Sequence, residues 1–311
     1  MIFENAGTMD ATNNEATALS FSYEFFPPRK VEQHRRFWHT VGCLETLSPA
    51  YFSVTYGALG TSQEESFGVI QNLMEEAVTP VAAHLTCIKQ SAEEIHLRLQ
   101  ELKSLGVNHI VALRGDAPAT DAGSEETKTQ KPDGQQLQFA EELVQLIHEV
   151  GGFEISVAAY PETHPQALSQ RADLENLQRK FDAGATRALT QYFYDCDAFL
   201  KFRDQAANLG LNADAIVPGI LPVHNIENVI AFSKRCGTRV PQPLIEHFRQ
   251  FAGKPEKARE QAIAQCVTQC NLLAAEGIKD FHFYTLNQSD LAYQVTRELT
   301  GLSQAERLVA A

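Results

Sequence analysis

The chain contains no CxxC pair, no GxGxxG turn, no HxH on any strand and no apolar run longer than a strand. Each absence removes a class of protein. Without paired thiols or a secretory signal, the six cysteines (Cys43, Cys87, Cys196, Cys236, Cys266 and Cys270) are expected to be reduced thiols in a cytoplasmic protein. Cys266 and Cys270 share a helix face, but no histidine accompanies them, and they read as structural filler. No segment has the length and apolarity of a membrane span. The missing glycine-rich turn argues against an open doubly wound sheet, and the acid and histidine spacing fits no common zinc motif, so no metal is expected.

Positive charge is also scarce. Lys and Arg total 26 against 39 Asp and Glu, a formal net charge of -13. That field repels nucleic acid and anionic membranes unless a local basic patch intervenes. An anionic ligand would need a local cluster of basic residues. A homo-oligomer is expected.

What is present is a repeating alternation of strand and helix patterns. The stretch Asn108 to Asp116, NHIVALRGD, has a buried-strand run that stops abruptly at Arg114, Gly115 and Asp116. Seven further strands are expected at Ser20 to Phe26, Tyr51 to Tyr56, Val81 to Cys87, Phe153 to Tyr160, Arg187 to Phe193, Ala215 to Leu221 and Asp280 to Leu286. Pro218 and Gly219 imply a bulge or a distorted strand end. Between the strands lie helical patterns, including one capped by Ser91 with Glu94 and others near Leu137 to Val150 and Ala172 to Ala183. A long helical stretch broken at Gly237, Pro241 and Pro243 precedes the last strand, and a final helix begins near Ser289. Residues 1–19 read as a loose tail, and Ala117 to Gln136 as a mobile surface loop. Eight strands with no hairpin signal predict a single α/β domain over 20–311, a (β/α)8 TIM barrel.

In such a barrel the site forms at the C-terminal strand ends. Glu24, Thr55, His84, Arg114 with Asp116, Tyr160 with His164, Gln191 and Tyr284 gather there. Singly, each has a bland reading: His84 as a hydrogen-bonded core histidine, Glu24 and Gln191 as satisfied interior polars. Polar groups at the same end of seven strands are harder to dismiss. The helix after the fifth strand places Asp173, Asn176 and Lys180 on one face with Arg179 at its edge, either a solvated face or a set of partners for a ribose and pyrophosphate.

The segments SYEFFPPRK, SVTYGALG, AHLTCIK, HIVALRGDAP, SVAAYPETHP, KFDAGATRALTQYFYD, PGILPV and GIKDFHFYTLN, in this order, resemble methylenetetrahydrofolate reductase over residues 20 to 300. The resemblance implies FAD at the strand ends and hydride transfer from NADH or NADPH, through the flavin in a ping-pong cycle, to 5,10-methylenetetrahydrofolate. It implies the catalytic domain without the S-adenosylmethionine-responsive domain of eukaryotic relatives. Glu24 resembles the general acid. Asp116 resembles the carboxylate that contacts the pterin near the flavin, and Gln191 the amide that pairs with the pterin. Thr55, Tyr56, Ala58, His84, Arg114, Gly115, Asp116, Ala140, Ala158, Tyr160, His164, Ala167, Asp173, Asn176, Arg179 and Lys180 resemble the FAD-contacting set. Tyr284 and Gln288 join Asp116 and Gln191 on the folate side. Three positions depart from the pattern: Ile226 stands where an aromatic often stacks on the folate, Phe139 where tyrosine is common, and Gln288 where an arginine often meets the folate tail. The alternatives are another FAD barrel of the proline dehydrogenase type and a non-catalytic flavin or folate binder.

Overall fold

A computed structural model describes residues 18–56, 63–88, 90–115 and 136–301. Eight parallel strands close into a barrel in chain order: β1 (Ser20–Phe25), β2 (Tyr51–Val54), β3 (Val81–Thr86), β4 (His109–Leu113), β5 (Glu154–Ala159), β6 (Arg187–Tyr192), β7 (Ile216–Ile220) and β8 (Asp280–Tyr284). The expected TIM barrel is therefore present. Every strand but β4 stops one or two residues before the end of the expected run, where the chain leaves the ladder to form the mouth; β4 ends at Leu113, the last apolar residue of its run. Thr55 shows how gradual that exit is, since its N–H still donates to Phe25 O at 3.0 Å.

Period-two alternation sorts β1 into two faces. Phe21, Tyr23 and Phe25 point outward and are buried against the helices, while Ser22 and Glu24 point into the barrel. The outer layer is rich in aromatics: Phe25 meets Phe52 edge-on at 5.2 Å between centroids and Phe37 at 5.4 Å. Full burial of each such ring contributes about 1.5–3 kcal/mol, so this layer dominates the stability of the fold. Branched aliphatics usually fill a barrel interior. Here Tyr51, Ala82, Val111, Leu189 and Val217 make only a small inner cluster, and Ser22, His109, Ser156 and His282 are buried beside it.

The helices follow the sequence pattern with two corrections. The helix after the loop, α4 (Ala140–Val150), starts three residues later than the apolar pattern suggests. Phe139 is extended at its N-cap, and the Glu142 carboxylate accepts from Gln138 N and Phe139 N at 2.6 and 3.0 Å. The long stretch before β8 is three helices, α7 (Ile226–Cys236), α8 (Gln242–Arg249) and α9 (Pro255–Ala275): the expected breaks at Gly237 and Pro241 separate α7 from α8, whereas Pro243 falls inside α8 and a further break precedes Pro255. Gly237 ends α7 in a left-handed conformation, φ 75°. Of the expected surface loop, 117–135 lie outside the described residues; its last residue, Gln136, forms an antiparallel bridge with Ser91. The anticipated irregularity at Pro218 and Gly219 is a register shift between β6 and β7.

Helix α3 (Ala92–Ser104) carries the expected capping box: Ser91 N–H donates to Glu94 Oε2 at 2.7 Å, and Glu94 N–H donates to Ser91 Oγ at 3.2 Å. Ser91→Ala removes one arm of it. The expected loss is about 1 kcal/mol, read as a fall of roughly 2–4 °C in thermal melting.

Candidate active site

The strand-end residues converge at the C-terminal mouth of the barrel. Register pairs Glu24 with Tyr284 and Ser22 with His282 across the β1–β8 seam, two polar layers stacked down the barrel axis. A strap after β8 fixes this seam. Leu286 and Asn287 both have positive φ, 50° and 55°, a conformation that costs a side-chain-bearing residue energy unless its surroundings enforce it. Enforcement comes from Asn287, whose amide accepts from Phe26 N at 2.9 Å and donates to Phe26 O at 2.8 Å. Thr285 Oγ1 donates to Glu24 O at 2.6 Å. The YTLN segment thus holds the backbone that carries Glu24.

The Glu24 side chain is 12% exposed, and its Oε2 lies between two imidazoles, 3.5 Å from His84 Nε2 and 3.6 Å from His282 Nε2. Burial pushes His84 down to about 4 and His109, one layer deeper, down to about 3, so both rings are neutral near pH 7. Burial also holds the Tyr284 hydroxyl far above the ordinary tyrosine range. That hydroxyl donates to Thr190 O at 2.8 Å. Gln191 Oε1 accepts from Tyr192 N at 3.0 Å, which orients its amide at the mouth. Gln288 is half-buried in the strap, its N–H donating to Thr285 O at 2.9 Å.

A second group lines the rim from β2 to β5. Thr55 and Tyr56 are buried just beyond β2, and Arg114 and Gly115 follow β4 directly. Arg114 pairs with Gln166 at 2.5 Å, and the Tyr160 and His164 rings meet edge-on at 4.5 Å. Ala158 is on β5, Ala167 in the loop after it, and Ala140 opens α4. Helix α5 (Gln170–Asp182) contributes the predicted face, though its groups already have protein partners. Asp173 accepts from His164 N at 2.8 Å, Lys180 donates to Ala158 O at 3.0 Å, and Arg179 reaches both Asn176 and Glu141. Burial lowers the Lys180 pKa, so this cation sits where an anion would relieve its desolvation. Ala58 and Asp116 lie outside the described residues.

Ser22 and His282 were not singled out from the sequence, although a signal existed: each is two residues from a selected strand-end group, Glu24 or Tyr284, and so shares its face.

A parallel barrel whose acid, imidazoles, amide and phenol meet at one mouth belongs to the (β/α)8 class, with the polar centre at the end where such barrels carry their sites. The methylenetetrahydrofolate reductase family model matches residues 9–300, and the chain belongs to that family of oxidoreductases acting on methylenetetrahydrofolate. It is 39% identical to the 5,10-methylenetetrahydrofolate reductase of Pectobacterium carotovorum subsp. carotovorum over 96% of this chain and 97% of that one. It is 37% identical to the Escherichia coli K12 enzyme of the same name, over 96% and 98%. Among solved structures, a Clostridium thermocellum protein described as binding two copies of 5-methyl-5,6,7,8-tetrahydrofolic acid shares the fold. Its TM-score is 0.62 at 12% identity, covering 93% of this chain and 97% of that one. Among the described residues no helix is long and apolar enough to cross a membrane.

Proposed function

We propose that the chain reduces 5,10-methylenetetrahydrofolate to 5-methyltetrahydrofolate with electrons from NADH or NADPH, using a noncovalent FAD. The observation that carries this reading is the Glu24 carboxyl, held at the mouth between His84 and His282. Opening the folate's five-membered ring requires a proton on the departing nitrogen, and Glu24 is the group positioned to deliver it. The methylene carbon then becomes a cationic iminium carbon. The Asp116 carboxylate, which follows Arg114 and Gly115 in sequence, would stabilise that cation, and the Gln191 amide would orient the pterin. Tyr284, fixed through its bond to Thr190 O, would wall the same face.

The rim fits a flavin dinucleotide. Thr55 Oγ1 and His84 Nε2 are buried polar atoms without hydrogen-bond partners among the described residues, as expected of groups that meet a bound ring. Lys180 and Arg114 would supply cations for a pyrophosphate. Thr55, Tyr56, His84, Arg114, Gly115 and Tyr160 would hold the cofactor on the barrel side. Ala140, Ala158, His164, Ala167, Asp173, Asn176, Arg179 and Lys180 would hold it on the outer side, and Ala58 would join the same set. When bound, the flavin would supply hydride transfer from the nicotinamide to the folate, and one mouth would serve the two substrates in turn.

Purified protein should be yellow and release FAD, not FMN, on heating. Initial-rate plots against nicotinamide and folate should be parallel. Colourless protein that takes up no FAD, or intersecting plots with a stable ternary complex, would overturn this reading.

A further inference from the structure

The Glu24 carboxyl meets the barrel interior through two histidines that are not equivalent. Both Nε2 atoms face Glu24 Oε2, at 3.5 Å for His84 and 3.6 Å for His282, and both are buried without a hydrogen-bond partner among the described residues. Among the described residues, only His282 is oriented from behind. Its Nδ1 lies 2.7 Å from Ser22 Oγ, whereas no hydrogen bond among the described residues fixes the His84 ring. The Ser22 hydroxyl is also 3.5 Å from Phe281 O, to which it can donate. Donating there leaves an oxygen lone pair to receive Nδ1–H, and in the tautomer so selected Nε2 is a bare acceptor. Behind Glu24 the chain is continuous, His282 Nδ1–H to Ser22 Oγ at 2.7 Å and Ser22 O–H to Phe281 O at 3.5 Å, and a small closing of the 3.6 Å gap would let a Glu24 O–H donate to His282 Nε2.

We propose that His282, set by Ser22, is the positioning residue that keeps the acid's proton on Glu24, its Nε2 accepting the carboxyl hydrogen until a substrate nitrogen takes it. This rests on the reading of Glu24 as proton donor to the folate. The other groups facing this point are His84 from β3, Ser53 and Tyr51 from β2, and Tyr284 from β8, with His109 beyond Tyr51. His84 and His109 stay neutral, and burial pushes the Tyr51 hydroxyl up to about 12. The charged groups Glu154, Arg187 and Asp280 act on Tyr51 from the opposite end of the strands. Of these, His84 also presents a ring nitrogen to Glu24, but among the described residues no hydrogen bond sets its tautomer as Ser22 sets that of His282.

The test compares wild type, His282→Asn and His282→Gln in the folate half-reaction, by rapid mixing of flavin-reduced protein with 5,10-methylenetetrahydrofolate across pH. Asparagine keeps a donor towards Ser22 but leaves the Nε2 position empty; the longer glutamine amide can put an oxygen there. In His282→Asn the alkaline limb should move to lower pH by about one unit, roughly a tenfold loss at about pH 8. Glutamine should restore it. Infrared spectra give a readout independent of turnover: the carbonyl band of a protonated carboxyl, assigned by its loss in Glu24→Gln, should persist to higher pH in wild type than in His282→Asn. An unmoved limb, or a loss equal at every pH, would reduce His282 to a packing residue and overturn the proposal. Should His282→Asn fail to fold, Ser22→Ala must show the same shift in smaller size, and an unmoved limb there is equally fatal. If wild type shows no folate half-reaction, the functional reading fails, and the infrared comparison still decides whether His282 holds the proton.

Discussion

Glu24→Gln should abolish most folate reduction while sparing the nicotinamide half of the cycle. Oxidation of NADH or NADPH by bound flavin needs hydride transfer between stacked rings and no proton donor. The folate half needs a proton on nitrogen before its methylene carbon becomes electrophilic. Glutamine matches glutamate in size, and its amide can still meet the two imidazole nitrogens that lie 3.5 and 3.6 Å from Oε2. What it lacks is a titrating proton. Folate reduction should fall by roughly a hundredfold or more, the scale of a lost general acid. Flavin content and nicotinamide oxidation with menadione should stay near wild type. Rapid-mixing measurements of each half-reaction decide the matter: equal loss in both halves, or none with folate, would make Glu24 a structural carboxylate.

The fold was legible because its signals are local. Eight apolar runs bounded by Pro, Gly or polar clusters became eight strands, and Ser91 with Glu94 became the cap of α3. Much of the mouth was legible for the same reason, since a polar residue at the end of an apolar run has to face the site. The Ser22–His282 pair was not, because its partners are 260 residues apart and meet only when β8 closes onto β1. The α5 face was read correctly as a face, but its engagement was invisible: Asp173 caps a loop amide and Lys180 reaches a strand carbonyl. Such side-chain-to-backbone bonds leave no periodic trace. The three-residue error at the start of α4 has a similar origin, because Glu142 reaching back to Gln138 and Phe139 sets the boundary where the apolar pattern alone does not.

Gly219→Ala should be the most damaging single-methyl change in the barrel wall. This glycine is in β7 and needs no unusual backbone angle; what it needs is space. A Cβ built there would overlap the carbonyl oxygen of Thr190 on β6 and lie 2.6 Å from Tyr284 Cε2. Neither neighbour can retreat cheaply. Thr190 is fully buried, with its Oγ1 accepting from Gly219 N at 2.9 Å, and its carbonyl accepts from the Tyr284 hydroxyl at 2.8 Å. The methyl must therefore separate β6 from β7 or expel the Tyr284 ring, and either movement breaks one of those bonds. Overpacking of a rigid core costs about 1–3 kcal/mol, and contact with backbone puts this case at about 3 kcal/mol or above. Melting should drop by roughly 6–10 °C. The surviving folded fraction should show raised KM for folate with flavin reduction by nicotinamide little affected, since Tyr284 is assigned to the substrate side. A variant that melts within a degree or two of wild type would mean that β7 shifts freely along β6, and that the close approach at Gly219 does not set the position of Tyr284.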